Sequence, residues 1–208
     1  MTYLDPSEYA EYGLDAQTPA ALTAAASALI DAWCRRPTLA VAQYTERVRL
    51  ARGRNSLRLS FLPLAAVAPA TSPLVAGRGR YAAVRPGDGG PMSELVSDVA
   101  QAFALPGAWT ALDVATLDFD ANTGEVTLPA HPLGLGFNEV EITYTAGLAE
   151  IPAAVKHACA AIARNARATP ALTVRGATLD LMHLDYFADT LLDQDVRRML
   201  APYVAQKS

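Results

Sequence analysis

Hydrophobic positions recur with a helical period over the first part of the chain. The segment TPAALTAAASALIDAWCRRP spans residues 18–37, where Thr18 suits a helix cap and Pro19 suits the first helical position. Pro37 ends the pattern because the residue before a proline disfavours helical backbone. One face at helical spacing carries Leu22, Ala25, Ala26, Leu29, Ile30 and Trp33. The pattern predicts a helix over 18–37 with this face buried.

The hydrophobic period changes to two after this helix, which is typical of β-strands. The segments YTERVRL (44–50) and SLRLSF (56–61) both alternate, and ARGRN between them contains a glycine that suits a turn. We therefore expect a β-hairpin formed by these two segments. Its facing hydrophobic positions would be Tyr44, Val48 and Leu50 with Leu57, Leu59 and Phe61.

A second hairpin is predicted within residues 109–130, WTALDVATLDFDANTGEVTLPA. Alternating positions lie on both sides of DANTG, whose asparagine and glycine are typical of tight turns. The pairing positions would be Leu117 and Phe119 with Val126 and Leu128.

A strand that leads into a helix follows. In EVEITYTAG (139–147), Val140, Ile142 and Tyr144 share one face, and Gly147 ends the strand. Pro152 then predicts the start of a helix. Its buried stripe would be Val155, Ala158, Cys159, Ile162 and Ala166. A last short helix, LLDQDVRRMLAPYV (191–204), is expected to stop at its proline.

These elements predict an α+β fold in a single domain, residues 1–208. A helical core would comprise 1–37 and 150–208, the latter including a C-terminal docking segment, and an antiparallel β-hairpin region, 44–147, would be inserted between them. The 208 residues are 51% hydrophobic, enough for a sizeable core. We expect no membrane span, no secretion signal and two reduced thiols, Cys34 and Cys159.

Charge is segregated along the chain, although the net charge is only −4. Residues 35–86 contain ten arginines and one acid, whereas residues 87–155 contain ten acids and no lysine or arginine. Two interpretations are open. Hairpins could interleave the two blocks on one surface, or the blocks could lie on opposite faces that meet between neighbouring subunits.

Catalytic and ligand-binding motifs are weak. The stretch DFDANTG (118–124) resembles the start of a calcium loop, but threonine stands where an EF-hand needs glycine and proline where it needs glutamate. The histidines His131, His157 and His183 lack partners at metal-ligand spacing. The basic segment 47–58 has no interleaved aromatic residues, so its nucleic-acid signal is slight. We predict no catalytic, cofactor-binding or metal-binding residue.

Several segments together resemble the head-tail connector (adaptor, or head-completion) proteins of tailed bacteriophages. The first helix ends in WCRRP (33–37), and YTERVRL…NSLRLSFLPLAAV (44–67) is similar to a hairpin of that family. ATLDFDANTGEVTL (115–128) leads to VEITYTAGLAEIPAAVKHA (140–158), and LDQDVRRMLAPYV (192–204) resembles the family's end. Residues 94–109 have no counterpart in the resemblance.

The resemblance implies a structural role in the particle and not an enzyme. Such adaptors form a ring, typically of about twelve copies, that extends the DNA channel beneath the portal and receives the next neck or tail protein. The implied partners are the portal protein, a stopper or tail-terminator protein and other copies of the chain, with DNA passing without sequence-specific binding. The implied location is the virion, after assembly in the host cytoplasm. The alternatives are another neck or tail-completion protein, or an enzyme with a scattered active site.

Three sets of candidate residues follow from the charge pattern, the apolar chain end and the resemblance. The candidates for subunit contacts are Arg47, Arg49, Arg58, Asp113, Asp118, Asp120 and Glu125. The candidates for portal docking are Leu184, Tyr186, Phe187, Val196, Met199, Leu200 and Tyr203. Gly147 and Pro152 form the expected structural switch from strand to helix.

Overall fold

The structure is a computed structural model of the 208-residue chain. It describes residues 2–51, 54–66, 71–81, 95, 109–129, 136–168, 176–179, 182–185 and 190–206, with 176–179 and 182–185 described as backbone. Helices and antiparallel sheets occur together, so the chain has the α+β class.

The chain divides into two compact units. The first unit, residues 1–39 and 150–205, contains the three described α-helices, and the second unit comprises residues 40–149 and 206–208. The breaks after residues 39 and 149 lie between the predicted helical and β regions, whereas a third break, after residue 205, lies inside the segment 150–208 predicted for the helical core.

The α-helices of the first unit are α1 (Ala20–Cys34), α2 (Ala153–Ala168) and α3 (Gln194–Leu200). Short 3-10 helices lie at Pro6–Glu8, Thr190–Leu192 and Ala201–Tyr203, and a fourth, Val114–Thr116, lies in the second unit. Strands β8 (Gly176–Leu179) and β9 (Met182–Asp185) pair antiparallel in the first unit.

The strands of the second unit form two antiparallel sheets. They are β1 (Ala42–Arg49), β2 (Ser56–Arg58), β3 (Leu74–Tyr81), β4 (Thr110–Leu112), β5 (Asp118–Phe119), β6 (Glu125–Thr127) and β7 (Phe137–Ala146). The four-stranded sheet has the order β1-β7-β3-β4, and the three-stranded sheet has the order β2-β6-β5.

The predicted hairpin between 44–50 and 56–61 is wrong. Strand β1 pairs with β7, so that Tyr44 lies opposite Tyr144 and Val48 opposite Val140, whereas β2 pairs with β6. Alternation reports which face of a strand is buried but not which strand lies beside it. The hydrophobic faces nevertheless share one core, because Tyr44 and Phe61 stack with their ring centroids 4.2 Å apart.

The second predicted hairpin and the face of β7 are confirmed. Phe119 lies opposite Val126 across β5 and β6. Val140, Ile142 and Tyr144 are all buried in the core of the second unit. The Tyr144 hydroxyl donates to the Glu46 carboxylate and accepts from the Phe61 amide, and burial together with that carboxylate raises the pKa of Tyr144 above its ordinary value.

The buried face of α1 differs from the predicted one. Ala25 and Trp33 are exposed, and Thr23, Ser27 and Cys34 are buried in their place. The Ser27 hydroxyl donates to the Thr23 carbonyl and accepts from the Tyr3 amide, so these polar side chains are satisfied inside the unit. Hydrogen bonding therefore permits burial of polar side chains that hydropathy alone predicts to be exposed.

The ends of α1 also differ from the prediction. Pro19 occupies the cap position, and the buried Thr18 hydroxyl makes no hydrogen bond within the described part of the chain. The helix ends at Cys34 because Arg35 adopts a left-handed conformation, with φ of 54°. On α2, Ala160 and Ala163 are buried, whereas the predicted Ala166 is only half-buried.

Candidate functional site

Four arginines flank two glutamates on the four-stranded sheet. In the strand register, Arg47 of β1 and Arg78 of β3 both lie opposite Glu141 of the central strand β7. One step along the same face, Arg49 and Arg80 both lie opposite Glu139. Together with Trp109, these four arginines are called the Arg–Trp face below.

Ion pairs connect the arginines to the glutamates. Arg47 Nη2 lies 2.6 Å from Glu139 Oε2, and Arg78 Nη2 lies 2.8 Å from Glu141 Oε1. Arg49 and Arg80 each lie 3.7 Å from a Glu139 oxygen. The hydrogen bond from Arg47 is the main reason why the pKa of Glu139 lies below its ordinary value. Glu139 therefore stays ionised at neutral pH, and three guanidiniums share its carboxylate.

The tryptophan lies among the same guanidiniums. The ring centroid of Trp109 is 5.0 Å from Cζ of Arg47, 4.9 Å from that of Arg78 and 5.4 Å from that of Arg80. Cations at these distances from an indole are attracted by its π electrons. Trp109 therefore helps to hold three arginines in place.

Sequence reasoning missed most of this face. Trp109 is adjacent to a pairing partner of β3, because Thr110 of β4 lies opposite Gly79. The alternating arginines of GRGR (77–80) and glutamates of EVE (139–141) are sequence signals of charged residues that share one face of a strand. Their assembly depends on the neighbours of β7, which a single sequence does not reveal.

The candidates for subunit contacts are separated by the structure. Arg47 and Arg49 pair with Glu139 of their own chain, as the interleaving interpretation predicted for these two. Arg58 lies on the other sheet, opposite Glu125, and donates to the Thr123 carbonyl. The acidic candidates Asp113, Asp118, Asp120 and Glu125 are all exposed.

The calcium-like stretch forms a hairpin turn. The Asp120 carboxylate accepts hydrogen bonds from the amides of Asn122 and Thr123, which hold the pKa of Asp120 below its usual range. Gly124 has a φ of +68° and closes the turn by donating its amide to the Asp120 carbonyl. Among the described residues, no group of three His, Cys, Asp or Glu side chains could hold a metal ion.

The predicted switch has a restrictive backbone at its glycine. Gly147 has a φ of +131°, and a Cβ at this position would lie 2.3 Å from the Ala40 carbonyl oxygen. The Gly147 amide also donates to the Pro63 carbonyl, at 3.0 Å. Only glycine suits this conformation and this close approach. Pro152 immediately precedes α2, and its carbonyl accepts hydrogen bonds from Val155 and Lys156.

The portal-docking candidates do not form one exposed surface. Val196 and Leu200 are fully buried within the first unit, where α3 packs against α2, so they are not available to a partner. Met199 and Tyr203 are half-buried. The side chain of Leu184 and the whole of Tyr186 and Phe187 lie outside the described residues.

An open cleft in the first unit is lined by Tyr3, Asp5, Glu8, Glu150 and Lys156, among others. Lys156 forms an ion pair with Glu8, which raises the pKa of the lysine and keeps it protonated. Burial raises the pKa of Tyr3 to about 12. Neither group is therefore activated as a nucleophile or a base near neutral pH.

No helix in the described part of the chain is both long and apolar enough to cross a membrane. Comparison with protein-family models gives no match, and comparison with curated proteins gives no significant one.

Proposed function

We propose that the chain is a structural neck protein of a tailed phage or phage-like particle. Copies of it form an adaptor ring that joins the portal to the tail and extends the DNA channel. The proposal includes a helical core into which the β region is inserted between α1 and α2. We also propose that the protein is located in the virion and that its partners are the portal protein and a stopper or tail-terminator protein.

The observation that carries the proposal is the restrained turn at Gly147. This residue lies in VEITYTAGLAEIPAAVKHA, one of the segments that support the resemblance to connector proteins. Its positive φ and its approach to Ala40 require glycine. The turn therefore gives a physical reason for a glycine at a position that the resemblance treats as characteristic.

Ring assembly needs two different surfaces of one subunit to be complementary, because every contact in a closed ring is head-to-tail. The exposed acids Asp113, Asp118, Asp120 and Glu125 remain candidates for one of these surfaces. Portal docking would use Met199 and Tyr203, which are not fully buried, and not Val196 or Leu200.

The test is deletion of the gene from the replicon that encodes the chain, followed by electron microscopy of the induced lysate. The proposal predicts heads packed with DNA, separate tails and no joined particles, with joining restored by the wild-type gene supplied in trans. Joined particles whose tails have abnormal length would instead indicate a tail-completion protein. Normal particles in normal numbers would refute a structural role in the neck.

A further inference from the structure

We propose that the Arg–Trp face binds the phosphate backbone of a nucleic acid, without reading its bases. The inference does not depend on the connector role, since it concerns one surface of the isolated chain.

The arginines are arranged in two parallel rows. Arg47 and Arg49 are two residues apart on β1, and Arg78 and Arg80 are two residues apart on β3. Residues two apart on a strand are separated by about 6.6–6.8 Å, and strands on either side of a third lie about 9.5 Å apart. The four side chains therefore arise from the corners of a small rectangle, which can contact more than one phosphate of an extended strand.

The Arg–Trp face carries more positive than negative charge, and its arginine side chains are more exposed than its glutamate side chains. Among the residues that the structure describes on this face, four arginines against two glutamates give a charge of +2, although the whole chain carries −4. The side chains of Glu139 and Glu141 are only 8% and 22% exposed, whereas those of the arginines are 34–87% exposed. An approaching anion therefore meets guanidiniums before carboxylates.

The glutamates position the arginines, and a phosphate offers further acceptors to them. Each guanidinium has five N–H donors in a planar fork that matches phosphate oxygens, whereas the described ion pairs of Arg47, Arg49 and Arg78 each join one guanidinium nitrogen to one carboxylate oxygen. Because Glu139 and Trp109 already restrict the arginines, less side-chain entropy is lost on binding. Thr45 and Thr143, whose hydroxyls lie 2.9 Å apart, extend the face with further polar groups.

The surroundings of Trp109 argue against stacking of a nucleic-acid base on its ring. Three guanidiniums lie within 5.4 Å of its ring centroid, so cations already occupy space beside the indole that a stacked base would need. Contacts to phosphate position a nucleic acid but carry no sequence information. The expected ligand is therefore a polyphosphate backbone of any sequence.

An acidic segment of a second copy is the competing occupant. Two carboxylates of that segment already form hydrogen bonds within their own chain. The Asp113 carboxylate accepts a hydrogen bond from the Ala115 amide, and the Asp120 carboxylate accepts hydrogen bonds from the amides of Asn122 and Thr123. A nucleic acid instead offers regularly repeated anions with no competing partners in its own chain. The phosphate backbone is therefore favoured.

The test measures binding of fluorescein-labelled oligothymidylate to the full chain by anisotropy, over a series of salt concentrations. If all four arginines contact phosphates, affinity should fall about 50-fold between about 50 and 200 mM salt, from a slope of about −0.7 per contact. The double variant Arg49→Gln/Arg78→Gln should bind more weakly at low salt, and its affinity should fall only about 7-fold over the same range.

The matched control is Arg54→Gln/Arg58→Gln, which removes two exposed arginines of the same unit from outside the face. It should keep the wild-type salt slope. Circular dichroism of each variant establishes whether the fold is retained. If the double variant unfolds, the single variant Arg49→Gln is measured in its place, because Arg49 is the most exposed of the four arginines.

Equal losses in both double variants would overturn the proposal, because binding would then follow total charge and not this face. Tighter binding of labelled polyglutamate than of oligothymidylate would overturn it in favour of an acidic protein partner. Salt-sensitive self-association that Arg49→Gln/Arg78→Gln abolishes, without oligothymidylate binding by the wild type, would assign the face to a second copy.

Discussion

Replacing Gly147 with alanine adds a single methyl group at a point where the backbone is closely approached by other backbone atoms. The new Cβ would lie 2.3 Å from the Ala40 carbonyl oxygen and 2.8 Å from the Val41 Cα, both of which are backbone atoms. No side-chain rotation can relieve these contacts, so the chain must shift. The φ of +131° would also have to be adopted by a residue that carries a Cβ.

The two effects can be estimated separately. Backbone strain costs about 1–3 kcal/mol, and forced packing costs a further 1–3 kcal/mol or so, which gives about 2–6 kcal/mol in all. For a chain of this size, each kcal/mol lowers Tm by about 2–4 °C, so the expected decrease lies between about 4 and 24 °C.

The assay uses the fact that the chain has two tryptophans, one in each unit. In a Trp33→Phe background, Trp109 fluorescence reports the unfolding of the second unit during heating and in urea. Gly136→Ala is the matched control, because nothing lies within 4 Å of its new Cβ, and we expect it to change stability by less than about 0.5 kcal/mol. Equal stability of Gly147→Ala and Gly136→Ala would refute the reasoning.

Three further predictions concern other parts of the structure. Leu200→Ala should destabilise the first unit by about 2–5 kcal/mol in urea unfolding, because Leu200 is fully buried, whereas half-buried Met199→Ala should cost less; equal small losses would contradict the burial. Burial raises the pKa of Cys34 to about 11 and also raises that of Cys159, so neither thiol should react with Ellman's reagent at pH 8 until the chain unfolds; rapid reaction of the native protein would contradict this. Because the folded pKa of Glu139 is lowered, its ion pairs stabilise the second unit above the unfolded pKa of about 4.5, and this contribution is lost as pH falls through the folded pKa; Glu139→Gln should remove that part of the pH dependence, and an unchanged pH profile would contradict it.

Local patterns along the chain predicted local structure well. The DANTG turn and its flanking strands were predictable because Gly124 supplies a positive φ and the paired residues are close in sequence. The end of β7 before Gly147 was also predictable, because a glycine at the end of a strand pattern indicates a conformation with positive φ. The helix after Pro152 begins at Ala153, one residue later than expected, and its first hydrogen bonds reach the Pro152 carbonyl.

Pairing between distant segments could not be predicted in the same way. Strand β1 has the alternation that a hairpin with β2 would require, but the same alternation suits its true partner β7, about a hundred residues away. The Arg–Trp face depends on that pairing, because β7 brings the arginines of β1 and β3 to either side of Glu139 and Glu141.

Hydrogen bonding accounts for the burial of the hydroxyl residues of α1, which hydropathy alone does not predict. Thr23 is almost completely buried because its hydroxyl bonds to the Ala20 carbonyl and lies 2.9 Å from the Tyr9 hydroxyl. Ser27 is buried for a similar reason. The apolar pattern near residue 200 likewise predicts a docking surface, whereas Val196 and Leu200 are buried in the core of their own unit.

Electron microscopy of the particle neck, at a resolution that distinguishes side chains, tests the proposed function most directly. The proposal predicts a closed ring of copies of this chain between portal and tail, with DNA along its axis. A complete neck whose density is fully accounted for by other proteins, in particles that lack this chain by mass spectrometry, would contradict it.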